Sequence, residues 1–219
     1  MQIDYEALVY DANPDNRILA IEHGYGWDVL IYDPVPEVRL AVALQGYQLE
    51  VLLKDDNPTV RDTAKYMSYV ASEDYKQRVK AAEHGFGLET LVHDSEPVVR
   101  VGVAERGFGL DILVNDKDWR VRKVVAEHGV GLDILVNDPV PDVRVAVASQ
   151  GHGLDILVND KDWPVRMVVA RQGYRLDILS KDKNSLVRIA VAEQGYDLDI
   201  LVHDQNSFVR NAALKMLHK

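Results

Sequence analysis

The sequence predicts an all-α fold: an α-solenoid wound as a right-handed superhelix from about nine two-helix repeats of 22 residues. Three observations carry this. An arginine returns every 22 residues, a glycine follows each of most of these by seven, and the apolar positions between them keep a helical rather than a strand period. The arginine register runs Arg17, Arg39, Arg61, then, after one step of 17, Arg78, Arg100, Arg122, Arg144, Arg166, Arg188 and Arg210. Other slots move with it: Gly129 is followed four residues on by Asp133, six on by Leu135 and nine on by Asp138, and the same spacing holds from Gly24 to Gly195.

The elements follow in chain order. Glu6, Leu8 and Asp11 supply a half-unit in the common frame. The first helix of each unit starts at a capping slot held by Asn13, Asn57, Asp118, Asp162, Asn184 or Asn206, whose side chains accept from free N–H groups of a first turn. The next position holds Pro14, Pro36, Pro58, Pro97 or Pro141, where the missing N–H costs nothing. Glycine in the left-handed conformation ends the helix, so the unit around Arg122 predicts a helix from about Trp119 to His128. The second element, Leu-Asp-Ile-Leu-Val-Asn, is only about six residues, with its acid in the first turn, where the helix dipole favours negative charge; α and 3₁₀ geometry both fit so short a piece. Counting from the arginine, offsets −1, +2, +3 and +4 face inward and −2, +1 and +5 outward. The single repeat domain, 1–219, carries one irregular shortened repeat at about 61–84. Ser68 replaces the expected glycine and Ser72-Glu73-Asp74 offers a fresh helix start, which predicts two longer helices meeting directly and a local change in superhelix direction.

Composition narrows the function. With 25 Lys plus Arg against 35 Asp plus Glu, the net charge is −10, and 47% of residues are hydrophobic, a globular balance. An acidic chain argues against nucleic acid as partner. No apolar run reaches the ~18 residues of a membrane span, and the N-terminus is acidic where a secretion signal is basic. Zero cysteines exclude a disulfide framework and thiolate metal sites. No histidine pair has metal-site spacing, so neither metal nor cofactor is expected, and the expected location is cytoplasmic.

The run from Asp138 to Val143-Arg144 and Ala148 resembles the core motif of HEAT-like repeats, and the short unit resembles leucine-rich variant repeats still more. The likeness covers nearly the whole chain. It implies a scaffold that binds partners, with the helix that begins Val-Arg lining the concave side. It also admits two rivals: an enzyme on a HEAT-like scaffold, such as a DNA glycosylase, or a structural module of a larger assembly. Two enzyme groups use similar scaffolds, HEAT-like DNA glycosylases and bilin lyases; no catalytic motif of either can be carried to a residue here, and an enzyme is not expected.

Among the candidate sites, the Asp and Arg ladders read as structural: Asp33, Arg39, Asp116, Arg122, Asp138, Arg144, Asp160, Arg166, Asp182 and Arg188 among them. Ten of the 14 arginines and none of the 11 lysines lie in the ladder, as suits a planar fork in a fixed, partly buried network. The spacing lets each carboxylate take backbone N–H groups and the guanidinium of its own or an adjacent unit. Aromatic residues after the glycines (Tyr25, Tyr47, Phe86, Phe108, Tyr174, Tyr196) fit packing against the last turn. The row Ile18, Leu40, Val79, Val101, Val145, Met167 and Ile189 at offset +1 is apolar on a face expected to be outward. Trp119 and Trp163 stand at helix starts, where an exposed ring can anchor an interface. The expected function is a protein-interaction scaffold, with a protein or peptide docking on Trp119, Arg120, Lys123, Glu127, Val145, Trp163, Met167 and Arg171.

Overall fold

A computed structural model describes residues 3–218, and among these it is helical, with no strand. The helices fall into two compact units, Met1–Arg106 and Gly107–Lys219. The first holds α1 (Tyr5–Leu8), α2 (Pro14–Glu22), α3 (Trp27–Leu30), α4 (Pro36–Leu44), α5 (Leu49–Leu52), α6 (Pro58–Val70), α7 (Tyr75–Glu83), α8 (Leu88–Leu91) and α9 (Pro97–Glu105). The second holds α10 (Leu110–Leu113), α11 (Trp119–Glu127), α12 (Leu132–Leu135), α13 (Pro141–Ser149), α14 (Leu154–Leu157), α15 (Trp163–Arg171), α16 (Leu176–Leu179), α17 (Ser185–Glu193), α18 (Leu198–Leu201) and α19 (Ser207–Leu217). Each unit is an α-solenoid segment in which one long and one short helix form a layer and each long helix packs on the next, α11 on α13, α13 on α15 and α15 on α17.

The local signals decide the boundaries. Five long helices begin at the proline. Asp118 Oδ1 accepts the Arg120 N–H at 2.9 Å and Asn184 Oδ1 the Leu186 N–H at 2.8 Å. Asp162 departs from this: it stands at the capping position without capping, because its Oδ2 receives Arg144 Nη2 at 2.8 Å instead. At the other end of α11, Gly129 has φ +76°, its N–H bonds Ala126 O and the Val130 N–H bonds Val125 O, the paired bonds of a Schellman stop. The short elements are single α-turns with 3₁₀ ends. In α12 Leu135 and Val136 bond four residues back, while Ile134 and Asp138 bond three back.

Each layer contributes the same core. In the layer of Arg144, Val143, Val147 and Ala148 are fully buried, and Leu157 of the short helix closes them off. Burying a leucine or valine stabilises by about 1.5–3 kcal/mol, so the repeat multiplies a modest gain through the stack. Offset +1 differs from expectation. Ile18, Leu40, Val79, Val101, Val145, Met167 and Ile189 are all half-buried, because consecutive long helices pack side by side and cover the seam between them.

The irregular repeat also differs. One helix is lengthened, not two: α6 has 13 residues and α7 the ordinary nine. The fresh start lies where Ser72-Glu73-Asp74 offers it, with Asp74 as the cap of α7. Five fewer residues fuse the long helix with its short partner, and the C-terminal turn of α6 takes the short helix's place. Val70 fills the space beside Gly87 just as Val9 fills that beside Gly26.

Candidate functional site

The ladder proves to be a two-way link. Arg122 directs Nε and Nη2 to Asp138, at 2.6 and 3.0 Å, and its Nη1 to the carbonyl of Asp116 at 2.7 Å. Arg144, Arg166 and Arg188 repeat this on Asp160, Asp182 and Asp204, as do Arg17 on Asp33, Arg39 on Asp55 and Arg78 on Asp94. Of the two partners open to it, the side chain of each of these seven arginines therefore takes the acid of the following layer, sixteen residues on, and its own unit's acid contributes only its carbonyl. Each carboxylate also accepts the N–H two residues further on, as Asp138 does from Val140 and Asp182 from Asn184.

Burial makes these pairs electrostatically strong. Arg144 is 5% exposed. The bonds from Arg39 hold the Asp55 carboxyl at about 2, against the opposing effect of burial. At Asp160 burial pushes the carboxyl up, but the bonds from Arg144 and the Asp162 N–H outweigh it and the net shift is downward. Every ladder carboxylate with such a shift is thus fixed as an anion over the neutral range. That arrangement holds layers together.

The predicted docking residues all lie in the second unit. Trp119 and Trp163, at the first positions of α11 and α15, are each 37% exposed and stand two layers apart. Arg120 is turned onto Asp118 at 2.7 Å, and Lys123 pairs with Glu127 at 3.4 Å on the same helix. Arg171 is exposed, whereas Val145 and Met167 are half-buried at the seam. Polar brackets join consecutive helix ends: Gln150 Nε2 donates to Glu127 O at 2.8 Å and Gln172 Nε2 to Ser149 O at 3.1 Å. The structure gathers these residues on one helix layer after another without converging them on a point.

A different row was missed in the sequence. Ile112, Ile134, Ile156, Ile178 and Ile200 lie one residue before each buried leucine of the short helices and are 38–59% exposed. One helical residue turns the side chain by ~100°, so a four-residue helix that buries its leucine presents the preceding isoleucine to solvent. The repeated Leu-Asp-Ile-Leu was the available signal. Beside this row stand the exposed acids Asp111, Asp133, Asp155, Asp177 and Asp199. Two of them have partners, His152 Nε2 on Asp133 at 2.9 Å and Arg175 on Asp177 at 3.1 Å. Open grooves separate successive short helices. One of about 370 Å³ is lined by Val136, Asp138, Arg144, Ile156 and Asp160, and one of about 470 Å³ by Val114, Asp116, Arg122, Ile134 and Asp138.

Among the described residues, no group of three His, Asp or Glu side chains is placed to hold a metal ion, and no helix is long and apolar enough to cross a membrane. Comparison with known proteins finds no family model that matches the chain and no match among curated proteins.

Proposed function

We propose that this chain is a non-catalytic, cytoplasmic protein-interaction scaffold of the HEAT-like kind. The observation that carries the reading is the exposed isoleucine row of the second unit, repeated at 22-residue intervals along the short helices. A repeated row of exposed apolar side chains rimmed by charge suits a protein contact. The flanking acids select the partner's chemistry: a protein segment that sets an apolar side chain over each groove and Lys or Arg against Asp111, Asp155 and Asp199. Layers ~8–10 Å apart give the required spacing of its anchors. A second reading places the contact on the long helices, on Trp119, Val145, Trp163, Met167 and Arg171. The partial exposure of the two tryptophans favours it.

The test begins with a partner recovered from the native cell and then measures its affinity for purified variants. Ile134→Lys with Ile156→Lys reverses the proposed surface in both shape and charge and is expected to abolish binding. Trp119→Ala with Trp163→Ala is expected to leave it intact. The opposite pattern moves the contact to the long-helix face, and full affinity in both double variants overturns the scaffold reading for this unit.

A further inference from the structure

Arg61 is the odd member of the ladder in the first unit. Its Nη1 makes the usual bonds, to the carbonyls of Asp55 and Asp56 at 2.5 and 2.9 Å, so its guanidinium sits in the ladder pose. In Arg39 and Arg78 the other edge of the group, Nε with Nη2, closes on a carboxylate of the next layer. In Arg61 neither atom has an acceptor among the described residues.

The cause is register. Residue 77, sixteen on from Arg61, is a glutamine inside α7. The shortened repeat brings Ser72 into the acid's place instead. Arg78 Nη1 donates to Ser72 O at 2.8 Å, as Arg39 Nη1 does to Asp33 O at 2.7 Å. The Asp74 N–H donates to Ser72 Oγ at 3.1 Å, as the Asn57 N–H does to Asp55 Oδ1 at 2.8 Å. The slot that holds a carboxylate in neighbouring layers here holds a neutral hydroxyl, with its own proton free to donate.

We infer that Arg61 and Ser72 form a carboxylate-binding position. The guanidinium is half-buried and held on one side, so its free edge is pre-organised for bidentate contact. The Ser72 hydroxyl supplies a third donor. Glu73 and Asp74 flank the position, and this local negative charge selects a compact monoanion over a doubly charged phosphate. The group fits either an acidic side chain of another protein or a small free carboxylate.

The test is ¹⁵N–¹H NMR of the full chain, following Arg61 Nε–H and the amides of Ser72 and Asp74. Acetate, a blocked glycyl-aspartyl-glycine peptide and inorganic phosphate are titrated separately at constant ionic strength. Saturable shifts at these resonances with acetate or the peptide are expected, and tighter binding of the peptide identifies a side chain as the natural source. Ser72→Asp supplies the anion from within: it should erase the shifts and raise the melting temperature. Arg61→Gln should erase the Ser72 and Asp74 shifts without that gain. Absence of saturation with both carboxylates, unchanged shifts in Ser72→Asp, or phosphate binding more tightly than either would overturn the assignment.

Discussion

Arg144 bonds Asp160 and Asp138 at once, the carboxylate of the layer ahead through Nε and Nη2 and the carbonyl of its own layer through Nη1. The side chain is a cross-brace between layers. Its charge is matched by Asp160 and, at the rim, by Asp162.

Removing that brace leaves a buried carboxylate without its cation. Arg144→Ala is expected to destabilise by ~3–5 kcal/mol. Arg120→Ala, which deletes an exposed neighbour of the cap, should leave the urea midpoint near that of the parent chain. Equal small losses in the two urea titrations would show the ladder to be solvated.

The ladder also sets the acid limb of stability. A carboxyl held at about 2 in the folded chain, as Asp55 is, titrates near 3.9 when unfolded, so the folded state binds fewer protons in between. Its contribution, on the order of 2 kcal/mol, is complete above the unfolded value and disappears as pH falls through that value towards about 2. Asp160, Asp182 and Asp204 shift in the same direction. Urea midpoints should therefore hold steady above about pH 5 and fall steeply below it, and Arg39→Gln should shallow that fall.

Two glycines of one linker should behave differently. Gly129 has open space where a Cβ would stand, so Gly129→Ala bears only the left-handed backbone penalty of ~1 kcal/mol. At Gly131 the added carbon would lie 2.2 Å from Val114 Cγ2, and Gly131→Ala should cost ~1–3 kcal/mol more. Thermal melts of the two variants compare them directly; the order reversed would mean that Val114 yields freely.

Val145→Asp with Met167→Asp tests the seam. On the sequence alone these positions look outward and harmless to stability. Half-buried between packed helices, each introduced charge should cost ~1–3 kcal/mol. A melting temperature within a few degrees of the parent would restore the outward reading.

The repeat, the proline starts and the glycine stops were legible in the sequence because each rests on one residue's backbone chemistry. The ladder's partner was half legible: spacing brought Asp138 and Arg144 together, but only packing between layers decides that Arg144 closes on Asp160. The seam of Val145 and Met167 was misread for the same reason, since a helical wheel knows one helix and not its neighbours. The exposed isoleucines escaped because Ile134 and Leu135 are equally apolar, and only the angle between them in a single helical turn separates surface from core. The helix start at Ser72-Glu73-Asp74 was legible, but the place of Ser72 in the acid slot emerges only once α6 is seen to absorb the short helix.

The cross-brace gives the second unit a grammar of insertion and loss. Excise residues 139–160, and Asp138 meets Lys161 directly. Arg122 still closes on Asp138, while Arg166 now stands six residues after it and finds the same carbonyl that Arg144 used. Every ladder bond of the lost layer is inherited by its neighbours, so a stack of this kind lengthens or shortens by whole words of twenty-two letters without rewriting the brace.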